Sequence, residues 1–93
     1  MIRASATPAR PAPPLSARAA GNVRAEAARR GLTQADMAGL LGMSRMAVSD
    51  RYRGRTPWTL DELSTVAGIL RLDVCELIRG GGGAYLEAVP GGR

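Results

Sequence analysis

The residues of this 93-residue chain best equipped for chemistry crowd into one stretch, Thr33 to Arg55. Between Met43 and Trp58 stand four arginines, Arg45, Arg51, Arg53 and Arg55, against a single carboxylate, Asp50. A guanidinium is a planar fork of N–H donors that grips phosphates, carboxylates and other paired acceptors with two bonds at once. Thr33, Gln34, Ser44 and Ser49 add neutral donors and acceptors, and Met46 adds a soft apolar contact. These groups suit recognition better than bond making. The chain has no histidine and one cysteine, so the usual zinc spacings and the commonest general base are missing. With no nucleophile–base pair in view either, the chain is expected to be no enzyme and to need no metal, cofactor or small-molecule ligand.

The whole chain carries a formal net charge of +5, and every one of its cations is arginine. A GC-rich genome would favour arginine codons by itself, so the missing lysine is no evidence of function. Basicity of this size fits nucleic acid, an anionic membrane surface and an acidic protein alike. No apolar run approaches the ~18–20 residues of a membrane span, and no continuous apolar segment near the start resembles a secretory signal. A cytoplasmic location is the expectation.

These residues need a scaffold, and the chain has length for one domain. Residues 1–15, with four prolines, read as a flexible basic arm, and residues 80–93, opening on four glycines, as a flexible tail with a small apolar patch at Tyr85, Leu86 and Val89. Between them, residues 16–79 form the expected domain. Phe is absent, so the core must come from Leu, Val, Ile, Met and Ala, a palette that favours helices. Ala19, Ala20, Val23, Ala27 and Ala28 recur at helical spacing up to Gly31. Thr33 caps a second helix with Asp36 three residues on, and Gly42 stops it. Ser44 caps a third that runs to about Tyr52. Thr59 and Glu62 open a fourth, with Leu60, Leu63, Val66, Ala67 and Leu70 as its buried stripe. Asp73 and Glu76 open a fifth, which Gly80 ends. The spacing predicts an all-α bundle of about five short helices, with Met37, Leu40, Leu41, Met43, Val48, Leu63, Val66, Leu70, Leu77 and Ile78 inside. Cys75 reads as a small buried hydrophobe, Trp58 as a plug between loop and core, and the arginines of the first helix as a solvated face.

Two short helices joined by a tight turn at Gly42-Met43, with the small Ala38 at their crossing, make a helix-turn-helix. The segment resembles the helix-turn-helix of the phage repressor and Cro family, also called the Xre family. The resemblance rests on LTQADMA (Leu32–Ala38), the Gly42 turn and SRMAVSDRYRGR (Ser44–Arg55), and extends through TPWTLDELSTVAGILRLDVCELI over roughly residues 17–79. It is similar above all to variants from actinobacterial phages and prophages. The resemblance implies a lambda-repressor-like domain that binds double-stranded operator DNA and regulates transcription. By family position, Arg45, Met46, Ser49 and Asp50 would face base edges, with Asp50 either accepting from a cytosine amino group or orienting Arg45 or Arg53. Thr33, Gln34, Ser44, Arg51, Arg53 and Arg55 would face the sugar-phosphate backbone, the amides that open the second helix meeting a phosphate. Arg3, Arg10 and Arg18 would belong to an arm reaching the minor groove, although arms with no role share that composition.

One position departs from the family. Where many members have an apolar anchor this chain has Arg51, which leaves two readings: contact with DNA, or a stem over the core with its head paired to Asp61 or Glu62 and Tyr52 packing on Trp58. Homodimers on palindromic sites, formed before or only on DNA, and monomers on asymmetric sites all remain compatible. A second function class is a protein-binding or antitoxin-like adaptor on the same fold. The arginine stripe speaks against it, because protein-binding cores are depleted of charge.

Overall fold

The computed structural model describes residues 14–79. They form five helices, α1 (Leu15–Arg29), α2 (Gln34–Leu41), α3 (Arg45–Tyr52), α4 (Leu60–Leu70) and α5 (Val74–Ile78), with no strand among the described residues. Each predicted cap is in place. Thr33, Thr59 and Asp73 each form a reciprocal capping box, with Asp36, Glu62 and Glu76 respectively. Ser44 Oγ accepts from the Ala47 amide at 3.0 Å. These bonds span two or three residues, which is why the starts of the helices are readable from sequence.

Helices α1, α2 and α4 end in one motif, in which a left-handed residue turns the chain and two amides bond back to the last turn. At α2 that residue is Gly42, φ 69°, with the Met43 amide on the Ala38 carbonyl at 3.0 Å. A Cβ at Gly42 would meet nothing within 4 Å. Backbone conformation, not close approach of the two helices, is therefore what glycine provides at this turn. At α4 the same place is taken by Arg71, φ 60°, the one described non-glycine residue with positive φ. A left-handed arginine costs roughly 1–2 kcal/mol. The amide of Leu72 bonding the Ala67 carbonyl at 2.9 Å helps offset it.

The core gathers Ala19, Ala20, Val23 and Ala27 from α1, Met37 and Ala38 from α2, Val48 and Tyr52 from α3, Trp58 from the loop, Leu63, Val66, Ala67 and Leu70 from α4, and Leu77 from α5. The alanine face of α1 lets α3, α4 and α5 approach closely. Leu41, Met43 and Ile78 pack at its rim, half-buried. Three expectations fail here. Leu40 is 56% exposed because Met37, Ala38 and Leu41 define the inner face of α2 and Leu40 lies off it. Leu60, 80% exposed, opens α4 a turn ahead of the buried stripe that starts at Leu63. Cys75 is exposed, two residues and so about 200° of helical turn from Leu77, the residue that α5 buries.

Arg24, Arg29 and Arg30 are exposed, as a solvated face requires, yet the first helix also carries two long-range ties. Arg24 donates from Nη1 to the Tyr52 carbonyl, tying α1 to the C-terminal end of α3. Asn22 Nδ2 donates to the carbonyls of Leu77 and Arg79, both at 2.9 Å, and ties α1 to the end of α5.

Candidate nucleic-acid interface

Helix α3 divides into faces by its own periodicity. Val48 and Tyr52, one turn apart, are buried against the core. On the far side lie Arg45, Met46, Ser49, Asp50 and Arg53, at spacings of one, four, five and eight residues that keep them on one surface. Arg45 and Arg53 are exposed, Met46 is 73% exposed, and Ser49 and Asp50 are half-buried. The chain then turns back. The amides of Arg55 and Thr56 both bond the Asp50 carbonyl, at 2.8 and 3.3 Å, which brings Arg55 beside the helix. From α2 comes Gln34. Together Gln34, Arg45, Met46, Ser49, Asp50, Arg53 and Arg55 line one open groove of about 420 Å³. All four residues expected at base edges, and three of those expected at the backbone, are thus brought to one surface.

Asp50 has a different neighbour from the ones expected. Its Oδ1 lies 3.9 Å from Arg55 Nη1, an ion pair without a hydrogen bond, and it pairs with neither Arg45 nor Arg53 among the described residues. A loose, largely exposed pair of this kind holds little energy and leaves both groups available to a ligand.

Arg51 does not join the groove. Its Nε and Nη2 donate to the two carboxylate oxygens of Glu62 at 2.9 and 3.0 Å, and its Nη1 to the Ala47 carbonyl at 3.1 Å. Its guanidinium carbon sits 5.8 Å from the centre of the Trp58 ring, and Trp58 packs on Tyr52 with ring centres 6.4 Å apart at 53°. The hydrogen bonds from Arg51, helped by the Thr59 amide, hold the Glu62 carboxyl below the ordinary carboxylate range against the opposing effect of burial. In this structure the Arg51 head thus lies inward, on Glu62. Glu62 is the partner, not the exposed Asp61, because the capping box already aims Glu62 at the start of α4. Burial raises the Tyr52 hydroxyl above its ordinary pKa, opposed by the nearby charge of Arg24.

The two helix starts near the groove differ in charge. At α2 the Thr33 hydroxyl accepts the Asp36 amide at 3.0 Å and the Asp36 carboxylate accepts the Thr33 amide at 2.9 Å. That bond keeps Asp36 ionised below its ordinary range, so a negative charge already sits where an anion was expected. At α3 the first turn holds no carboxylate and opens on Arg45. The α3 start is the more receptive to an anion. Thr33 and Ser44 act as caps through their oxygens, and among the described residues neither hydroxyl donates to another group. Arg18 lies half-buried within α1 and not on an arm. Arg3, Arg10, Gly80 and the Tyr85–Val89 patch fall outside the described residues. Sequence reading missed Arg24 and Asn22, whose partners lie 28, 55 and 57 residues away.

No curated protein matches the chain by sequence. Among solved structures, two of the clp gene regulator ClgR of Corynebacterium glutamicum are similar. One superposes with a TM-score of 0.71 at 26% identity over 84% of both chains, the other with 0.65 at 25% over 70% of this chain and 84% of that one. The restriction-modification controller protein C.AhdI of Aeromonas hydrophila is 27% identical over 68% of this chain and 94% of its own, with a TM-score of 0.60. The hypothetical transcription factor NHTF from Neisseria, at 24% identity and a TM-score of 0.70 over 89% of this chain and 98% of its own, shares the fold. The family model for the helix-turn-helix matches residues 23–77, from the first buried valine of α1 to the buried leucine of α5, and the chain belongs to that family, the Xre-type helix-turn-helix of DNA-binding transcriptional regulators.

Proposed function

We propose that this protein is a sequence-specific regulator that inserts α3 into the major groove of an operator and blocks transcription by occupying it, as a phage or prophage repressor or Cro-like protein would. One observation carries the reading: a single open groove collects Gln34 with the outward residues of α3 and the arginines that follow it. A helix with its side chains is about 10–12 Å across, and the major groove is about 12 Å wide. In this reading Arg45 takes a guanine through O6 and N7, Met46 packs on a thymine methyl, and Ser49 and Asp50 meet neighbouring base edges, Asp50 accepting from a cytosine amino group. Gln34, Arg53 and Arg55, with the hydroxyls of Thr33 and Ser44, hold phosphates. Residues 16–79 form the reading domain, Arg3 and Arg10 belong to an arm that follows the minor groove, and residues 80–93 form a tail.

Selection of bound sites from a random duplex library tests this directly. A shared motif containing a guanine is expected. Two copies about 34 Å apart would mark a dimer, and one copy a monomer. Arg55→Ala should weaken selected and random duplexes about equally and reduce the salt slope by roughly one unit. Failure to bind any duplex at low salt would overturn the proposal in favour of a protein-binding adaptor.

A further inference from the structure

We propose that Arg51, Glu62 and Trp58 form a clamp that sets the angle at which α3 is presented, making Arg51 a positioning residue for sequence recognition and not a phosphate contact. The inference rests on the DNA-binding reading above and concerns the one arginine between Met43 and Trp58 that does not line the groove. Arg51 is two residues from both Ser49 and Arg53, about 200° of helical turn from each, so it stands on the side of α3 away from the groove. Toward α4, the hydrogen bonds that leave α3 among the described residues are the two from Arg51 to Glu62. The acceptor is itself fixed, since Glu62 Oε1 also accepts the Thr59 amide at 3.0 Å. The donor is fixed by the Ala47 carbonyl one turn back on its own helix. With its side chain 15% exposed, the guanidinium lies against the Trp58 ring. The pair is bidentate, so it constrains direction as well as distance, which a leucine at this position would not.

A rotated α3 would still carry its positive charge to phosphates but would misplace Arg45 and Met46 at the base edges. Loss of the clamp should therefore reduce selectivity and spare non-specific binding. Anisotropy titrations of Arg51→Lys, Arg51→Gln and Glu62→Gln against a library-selected duplex and a random duplex, over a series of salt concentrations, test this. All three variants are expected to lower the selected-to-random affinity ratio roughly tenfold. Arg51→Lys should fail although it keeps the charge. The double variant Arg51→Gln/Glu62→Gln should be no worse than either single one, and the salt slope should stay unchanged. The chain has one tryptophan, so Trp58 emission reports the clamp without DNA and should shift in each variant, while circular dichroism verifies the helices. A slope lowered by about one unit in Arg51→Gln and restored in Arg51→Lys would make Arg51 a phosphate contact and overturn the inference alone. Folded variants with an unchanged ratio would also overturn it, as a structural pair without bearing on recognition. An unaltered chain that binds no duplex at low salt defeats the DNA reading itself, and this inference with it.

Discussion

The last turn of α1 and the segment from α3 through its following loop are both rich in arginine, yet they use it in opposite ways. In α1, Glu26 holds Arg29 and Arg30 at 2.7 Å each, at spacings of three and four residues, and Arg30 also reaches the Glu26 carbonyl. In the second region Arg51 is taken by Glu62 and Arg55 is loosely held by Asp50, while Arg45 and Arg53 have no ion pair among the described residues. A count of residues along the chain cannot separate these cases. In these two regions the arginines left without a carboxylate partner, Arg45 and Arg53, lie along the groove. The difference teaches that an arginine informs about a ligand only once both its internal partners and its place on the surface are known.

The largest effect is expected where the two regions are held together. Leu70 is buried in α4, and Leu70→Ala should cost about 2–5 kcal/mol of stability. In a domain this small, α1 and α3 should be lost in one transition. Thermal melts followed by circular dichroism and by Trp58 emission should coincide; separate transitions would mean that the two regions are independent. Next comes Arg45→Ala, which should relax preference at one base position by roughly 1–3 kcal/mol and leave the melting temperature close to the parent's. Uniform weakening at every position would move Arg45 to the phosphates and erase the division of roles within the groove.

What was legible beforehand follows from range. The caps at Thr33, Ser44, Thr59 and Asp73 are local bonds, and composition alone announces them. The face of α3 that carries Arg45, Met46, Ser49 and Asp50 follows from helical periodicity together with the resemblance. Leu40 and Cys75 depart from the expected core because they lie off the buried faces of their short helices, and Leu60 because it opens α4 a turn ahead of the buried stripe. The end of α4 at Arg71 carries no glycine to signal it. Arg24 and Asn22 were invisible as ties because their acceptors are backbone carbonyls far along the chain, and any residue type offers those. For Arg51 the sequence leaves open contact with DNA and pairing to Asp61 or Glu62, and the capping box that holds Glu62 accounts for the choice between the two carboxylates.

Acid sharpens the comparison further. Hydrogen bonds from Arg30 hold the Glu26 carboxyl below its ordinary range, as those from Arg51 hold Glu62. A carboxyl with a lowered folded pKa contributes stability that is complete above its unfolded value, about 4.3, and is lost as the pH falls through the folded value. Both pairs should therefore make the protein less stable on acidification below about pH 4.3. The Arg51 side chain is 15% exposed against 34% for Arg30 and 68% for Arg29, so solvent screens the α1 pairs more strongly. Glu62→Gln should flatten the acid side of the stability–pH curve more than Glu26→Gln does. Equal flattening would mean that the Arg51 pair is no stronger than a surface bridge.

The smallest effect is expected at Arg29, and it is the one that most directly tests whether pairing or position silences a charge. Its bond to Glu26 is exposed and spans three residues, a geometry that contributes roughly 0.3–0.5 kcal/mol. Arg29→Ala should shift stability by no more than about 0.5 kcal/mol and leave the salt slope of duplex binding unchanged, in contrast to Arg55→Ala. Glu26→Gln frees Arg29 and Arg30 by removing a negative charge, which makes the net charge more positive by one. If pairing alone kept them from DNA, that variant would bind random duplex more tightly and with a steeper salt dependence. If their place outside the groove decides, the added positive charge should raise affinity only slightly and leave the slope as it was. The second outcome is expected, because counterions are released where phosphates lie against the protein, and the groove residues come from α2, α3 and the loop after α3, with none from α1.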